Sequence, residues 1–244
     1  MAFNTQSNMT TAFLTAEWRK LAMANFEVDP RFLEPYLPQH TELDIWNGTC
    51  YLSLVGFMFL NTRVKGFSIP FHSNFEEVNL RFYVRRKDQN EWKRGVVFIR
   101  EIVPRYGLSL VARIFYNEPY VTMPMDHQWT TDPRLLTVQY RWKKKRWNSF
   151  KVNADFTPVD FADDSEEAFI TEHFWGYTKI SQSRVAEYGV EHPRWKVYPV
   201  KDYSTDVDYA DVYGKKFDFL AREKPLSVFL AEGSEIIVRS GRAI

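Results

Sequence analysis

The chain has 244 residues, enough for one large domain or two small ones. Hydrophobic residues make up 45% and the formal net charge is +1, which excludes intrinsic disorder. The near balance of 32 basic and 31 acidic side chains gives no electrostatic reason for a nucleic-acid or anionic-membrane partner.

Residues 1–12 read as a flexible tail, and residues 13–244 as a single domain. Met1–Thr11 has neither the basic nor the apolar region of a signal peptide. No apolar run reaches the roughly eighteen residues of a membrane span. Aromatics reach 17%, and their bulk and strand preference predict a β-rich core. Trp18–Val28 alternates and predicts a strand. Asp29-Pro30 predicts a helix start, with Asp as N-cap and Pro at the first helical position. That short helix, Arg31–Tyr36, ends before Pro38. Strands follow at Glu42–Trp46 and Thr49–Asn61, the second apolar on both faces.

Residues 62–74 lack periodicity and read as a long loop. Phe75–Arg86 alternates, with Val78, Leu80, Phe82 and Val84 on one face. Glu77, Asn79, Arg81, Tyr83 and Arg85 share the other. That polar face is either the solvated side of an antiparallel sheet or the polar lining of a barrel or cone. Lys87–Trp92 reads as a turn, Gly95–Glu101 as an apolar strand ending in charge, and Leu108–Tyr116 as a helix. Further strands are expected at Tyr120–His127, Leu135–Lys143 and Trp147–Phe156. Ser165 caps a helix to His173 with acidic residues in its first turn. Strands are expected at Ser183–Glu191, Trp195–Asp202 and Ser227–Arg239, with a short helix within Tyr203–Lys215. About ten strands and three short helices make an α+β, strand-rich chain.

Several chemistries have no motif here. There is no Walker loop, no dinucleotide-binding glycine fingerprint and no nucleophile elbow. His40, His72, His127, His173 and His192 show no local metal-ligand spacing, so no metal or cofactor is expected. Cys50 is the one cysteine. It permits no intrachain disulfide, reads as a buried small hydrophobe, and suits a reducing, cytoplasmic location. The basic run Lys143–Arg146 reads as the solvated turn of a hairpin between aromatic strands.

One constellation carries chemistry. An apolar strand, Val96 to Ile99, runs into Arg100 and Glu101, and Pro104-Arg105 follows. An arginine at a strand end can clamp a carboxylate or phosphate with two parallel hydrogen bonds. A neighbouring glutamate serves as acid or base, or forms a structural ion pair with the arginine.

The order Trp18-Arg19-Lys20, Asp29-Pro30-Arg31, Leu37-Pro38 and Asn79-Leu80-Arg81-Phe82-Tyr83-Val84 resembles the YqjF-like family of uncharacterised bacterial proteins. Gly95-Val96-Val97-Phe98, Ala112-Arg113, Pro119-Tyr120, Met125 and Ala231-Glu232-Gly233-Ser234 extend the resemblance over residues 13–240. The family is similar in fold to acetoacetate decarboxylase, which implies a β-cone or barrel with a few peripheral helices around a small-molecule cavity. Arg19 and Pro38 match an arginine and a proline of that enzyme in spacing, and Arg100-Glu101 resembles its strand-end pair. Its Schiff-base lysine has no counterpart: the aligned positions hold Gly107 and Leu108, or Arg105 if two residues are deleted. The acidic positions that accompany the lysine are apolar at Val55 and Gly56, and basic or apolar over 64–66. A guanidinium stays charged and forms no imine.

The resemblance therefore implies a cavity without the imine mechanism. Arg19, Arg81, Arg100 and Arg105, with Tyr83, are the expected ligand-binding residues for a small organic anion, a carboxylate or keto acid. Glu101 is the candidate acid or base if the cavity is an active site. A third reading is an interaction module with no ligand. A homo-oligomer is compatible with aromatics at strand edges.

Overall fold

The computed structural model describes residues 12–70, 72–105, 119–132 and 135–244. The first strands are β1 (Ala12–Glu27), β2 (Glu42–Leu43), β3 (Tyr51–Val64), β4 (Phe67–Ser68), β5 (Phe75–Asp88) and β6 (Glu91–Val103). Then come β7 (Tyr120–Thr122), β8 (Met125–Thr131), β9 (Leu136–Lys143) and β10 (Trp147–Ala154). The last are β11 (Trp175–Lys179), β12 (Val185–Glu191), β13 (Val197–Tyr198), β14 (Val200–Asp206), β15 (Ser227–Arg239) and β16 (Arg242–Ala243).

Strands β15, β1, β3, β5, β6, β11 and β12 pair in that order. Strand β12 then pairs back onto β15 through Val190–Val238 and Glu191–Ile237, which closes the sheet into a barrel. The pairings are antiparallel except β6 with β11. Strands β14, β10, β9 and β8 form a second antiparallel sheet. The barrel strands are therefore buried on both faces. Inward residues such as Phe57, Phe59, Phe75 and Val103 fill the barrel. Outward Leu52, Leu54, Leu80 and Phe82 pack in a second core with Val138, Tyr140, Trp142 and Phe150 of the outer sheet. No helix among the described residues is long and apolar enough to cross a membrane.

A bulge in β1 locks the two layers. Lys20 adopts φ 54°, and the register against β3 shifts between Arg19 and Ala22. Tyr140 donates to the exposed Lys20 carbonyl at 2.7 Å. Its ring lies on Gly56, where a Cβ would stand 2.8 Å from the ring. The buried Glu187 carboxylate joins Arg86 at 2.8 Å, Lys93 at 3.3 Å and Arg242 at 2.8 Å, tying the β5–β6 hairpin to the C-terminal strand.

The expected helix start is present. Asp29 Oδ1 accepts from Arg31 N at 2.9 Å, and Pro30 opens a helix Pro30–Leu33 that tightens to 3-10 over Glu34–Tyr36. Ser165 likewise caps Glu166–Thr171. Residues 62–74 are not one loop. β3 runs on to Val64, and Lys65 and Gly66 turn it back into β4 with φ 49° and 83°, as a two-residue hairpin turn requires. In Tyr203–Lys215 the helix is confined to Tyr209–Tyr213, because Tyr203–Asp206 pairs with β10. The expected helix Leu108–Tyr116 and residues 1–11 of the expected tail lie outside the described residues, whereas Ala12 already begins β1. Within Lys143–Arg146, Lys143 ends β9 and Lys144, Lys145 and Arg146 form the turn into β10, paired with Asp211, Asp211 and Asp206.

Candidate functional site

Strand β5 builds the polar wall. Same-face residues on a strand recur about every 6.8 Å, and Glu77, Asn79, Arg81 and Tyr83 all turn into the barrel. The polar face of this strand is thus an interior lining, not a solvated surface. Strand β6 contributes Phe98 and Glu101. Their three-residue spacing would put them on opposite faces of a regular strand. A bulge between the pairs Leu80–Arg100 and Arg81–Phe98 brings both inward and turns Arg100 outward.

The barrel interior holds a cavity of about 130 Å³. An apolar cavity of roughly 150 Å³ admits benzene, so the space suits a ligand of about six heavy atoms. Trp18, Phe57, Phe59, Phe98 and Val190 form the apolar walls. Glu77, Asn79, Arg81, Glu101, Tyr120 and His173 form the polar ones, and His192 lies beside Trp195 at the same cavity.

Two carboxyls lie together. Glu77 and Glu101 are each 2% exposed. Asn79 is the cross-strand partner of Glu101, so Glu77 is its diagonal neighbour on the inner face. Glu77 Oε1 accepts from Asn79 Nδ2 at 3.0 Å and Oε2 from the Tyr120 hydroxyl at 3.1 Å. That hydroxyl also contacts the Glu101 carboxyl. Burial pushes Glu77 up to about 7, against the lowering effect of Asn79, Tyr120 and Arg81. Burial, Glu101 and Glu77 together raise the Tyr120 phenol well above its ordinary value.

Arg81 is 8% exposed. Among the described residues its guanidinium has no ion pair and donates no hydrogen bond, and its Nε is buried without a partner. Its guanidinium carbon lies 5.7 Å from the centre of the Tyr83 ring. Other cavity-lining atoms are also orphaned among the described residues: Trp18 Nε1, Thr62 Oγ1, Asn79 Oδ1 and His173 Nδ1. Buried polar atoms normally find partners; several of those without one among the described residues line this cavity, and Trp142, Thr178, Tyr209 and Tyr213 carry others elsewhere.

Two imidazoles are held neutral. Burial pulls His173 down to about 4. Burial also opposes ionisation of Asp44, but hydrogen bonds from His173 and Arg94 outweigh it and hold that carboxyl below its usual range. His173 Nε2–H therefore donates to Asp44, and Nδ1 keeps its lone pair. His192 is drawn to about 4 by burial, and its Nδ1–H donates to the Pro193 carbonyl at 2.9 Å.

The expected arginine cluster does not form. Arg19 stands outside the barrel, because Trp18 before the bulge and Leu21 after it turn inward. It pairs with Glu17 at 2.6 Å and faces Glu232 at 3.8 Å. Arg100 donates to the Val212 carbonyl on the outer side. Arg105 is exposed past the end of β6. Of the four arginines, Arg81 alone lines the cavity among the described residues. Tyr83 sits one layer deeper: its hydroxyl donates to Ser53 at 2.8 Å and its ring packs on His173. Glu101 lines the cavity. Gly107 and Leu108 lie outside the described residues.

Glu77 and Asn79 enter the sequence reading only as members of the polar face of β5, and Tyr120, His173 and His192 do not enter it as site residues. The polar row on β5 was the available signal for the first two, since it interrupts a long strand whose opposite face is wholly apolar. Cys50 is packed, and burial pushes its thiol up to about 11. Among the described residues no three His, Cys, Asp or Glu side chains group as a metal site.

A closed barrel around a mostly apolar cavity with one polar wall, flanked by a second sheet and short helices, is the acetoacetate-decarboxylase-like fold. Acetoacetate decarboxylase from Legionella pneumophila superposes with TM-score 0.66 at 11% identity, over 100% of this chain and 92% of that one. An acetoacetate decarboxylase-like enzyme from Sphingomonas wittichii RW1 gives 0.65 at 11%, over 98% and 95%. The enduracididine biosynthesis enzyme MppR, in complex with pyruvate, gives 0.66 at 12%, over 98% and 93%. The chain belongs to DUF2071, a family of uncharacterized conserved proteins (COG2071) whose model matches residues 15–235. The uncharacterized protein YqjF of Bacillus subtilis (strain 168) is 28% identical over 183 residues, 73% of this chain and 72% of that protein.

Proposed function

We propose that this protein binds a small organic anion, a carboxylate or keto acid, inside the barrel with its carboxylate on Arg81. The carrying observation is the Arg81 guanidinium: buried, charged and without an ion pair or hydrogen bond among the described residues. Burying an unpaired charge is costly, and an anionic ligand offsets that cost with paired hydrogen bonds. The pyruvate complex of MppR supports a ligand of this size and charge. This reading uses one arginine rather than four. It treats residues 13–244 as one domain, and the chain as cytoplasmic with Cys50 as a packing residue.

A second reading makes the same cavity an active site, with Glu101 as acid or base. The observation behind it is the buried carboxyl pair bridged by Tyr120. Imine chemistry has no starting amine on this reading, because no lysine stands among the described residues lining the cavity.

Thermal unfolding against a panel of keto acids, hydroxy acids and neutral analogues tests the binding. A ligand specific for the folded state adds about 2.7 kcal/mol at a hundredfold excess over Kd. Anions are expected to raise the melting temperature and neutral analogues are not. Equal responses to both would remove the role of Arg81.

A further inference from the structure

Resting on the reading of the cavity as a small-anion site, we propose that Glu101 and Glu77 work as a base and acid pair that catalyses α-proton exchange on a small 2-oxo acid. The substrate class follows from the wall. Arg81 offers one place for one carboxylate. Two residues along the same strand face lies Asn79, and two further lies Glu77. Apolar Phe57, Phe59 and Phe98 surround the rest. A ligand of about six heavy atoms with its carboxylate on Arg81 has room for one more acceptor beside that carboxylate and a short carbon chain against the carboxyls. A carbonyl next to an enolisable carbon meets that description.

The acid and base roles follow from the pairing. Two carboxyls that share a site cannot both ionise easily, so the pair holds one proton and one charge. Burial keeps the proton on Glu77 against the opposing pull of Asn79, Tyr120 and Arg81, and Glu101 serves as the carboxylate. Glu101 takes the α-proton, and the C–H electron pair becomes the C=C bond. The carbonyl π pair moves to oxygen, which takes the proton from Glu77. One proton is accepted and one given, and no oxidant or reductant is required. Reversal after the carboxyls exchange with solvent returns the oxo acid with solvent hydrogen at the α-carbon. Tyr120, in contact with both carboxyls, holds them together and is a positioning residue.

Pyruvate in D2O is the probe, with loss of its methyl proton signal followed by NMR and its binding followed in parallel by thermal unfolding. The wild type is expected to exchange the methyl group faster than buffer alone. Glu101→Gln and Glu77→Gln should each lower that excess rate at least tenfold while pyruvate still raises the melting temperature. Tyr120→Phe, which keeps the ring, should lower it too, and serves if the glutamine variants do not fold. If pyruvate stabilises the wild type but exchange stays at the buffer rate, the proposal fails and the binding reading stands. Full exchange in Glu101→Gln also overturns it. If pyruvate neither binds nor exchanges, both readings fail for this ligand class.

Discussion

His173 Nε2 donates to Asp44 Oδ2 at 3.0 Å, deep in the barrel wall. The same oxygen accepts from Arg94 Nε at 2.7 Å. One carboxylate thereby fixes an imidazole at the cavity and anchors β6. Asp44→Asn keeps the shape but removes the charge and leaves one donor facing another. Breaking a buried pair costs about 3–5 kcal/mol; with Arg94 partly exposed, a loss of about 2–3 kcal/mol is expected in urea unfolding. A loss below about 0.5 kcal/mol would mean that the pair does not hold the wall.

The pH dependence has opposing parts. The unfolded chain protonates His173 near 6.5, but the folded chain only near 4. Its contribution is complete above 6.5 and falls as pH drops to 4, by roughly 1.4 kcal/mol per pH unit. His192 acts in the same direction. Glu77 acts in the opposite one. The folded chain keeps its proton up to about 7, the unfolded chain to about 4.5, so stability falls as pH rises between them. Glu77→Gln should therefore gain on the wild type from pH 4.5 to 7, and lose stability more steeply on acidification. Denaturant unfolding at pH 5 and pH 7 checks this; parallel profiles for the two proteins would contradict it.

Two glycines make room for tyrosines, Gly56 between the barrel and the outer sheet and Gly176 within the barrel wall. A Cβ at Gly56 would meet Tyr140 Cδ2 at 2.8 Å, and one at Gly176 would overlap the Tyr188 phenol. Overpacking of this kind costs roughly 1–3 kcal/mol. Gly56→Ala should lower stability and leave ligand affinity alone, because Tyr140 belongs to the outer core. Gly176→Ala should weaken binding as well, because Tyr188 lines the cavity. Titrating the same anion against both variants separates the two effects.

Glu187 is the buried hub for Arg86, Lys93 and Arg242. Glu187→Gln leaves those cations short of their shared partner. A drop of several degrees in melting temperature is expected, at about 2–4 °C per kcal/mol for a chain of this size. Hydrogen exchange at Arg242 and Ala243 should speed up first, since β16 is held by two paired positions.

The sequence shows where local chemistry decides. Asp29-Pro30 and Ser165 with its acidic turn are self-sufficient caps, and both helices begin where expected. The alternation of β5 gave the right period, but local pattern cannot say what covers each face. The covering is a second sheet on one side and a closed barrel on the other, and both are long-range. Short β11 was missed because Trp175-Gly176-Tyr177 carries little pattern, and its pairing with β6 spans only Gly95 and Val96. The same limit misplaced three arginines. Arg19 and Arg100 each sit beside a bulge, and one extra residue exchanges the faces of a strand. Tyr120 and His173 reach the cavity from segments far from β5, so no spacing rule joins them.

The most direct test of the binding account is calorimetric titration of pyruvate into the wild type and Arg81→Met, with urea unfolding of both. Hydrogen bonds to charged groups are worth about 1.5–3 kcal/mol, so the variant should bind at least tenfold more weakly. It should also be no less stable than the wild type, since it removes a buried charge that makes no ion pair among the described residues. Equal affinity in the two proteins, or a marked loss of stability in the variant, would show that Arg81 holds the fold rather than a ligand.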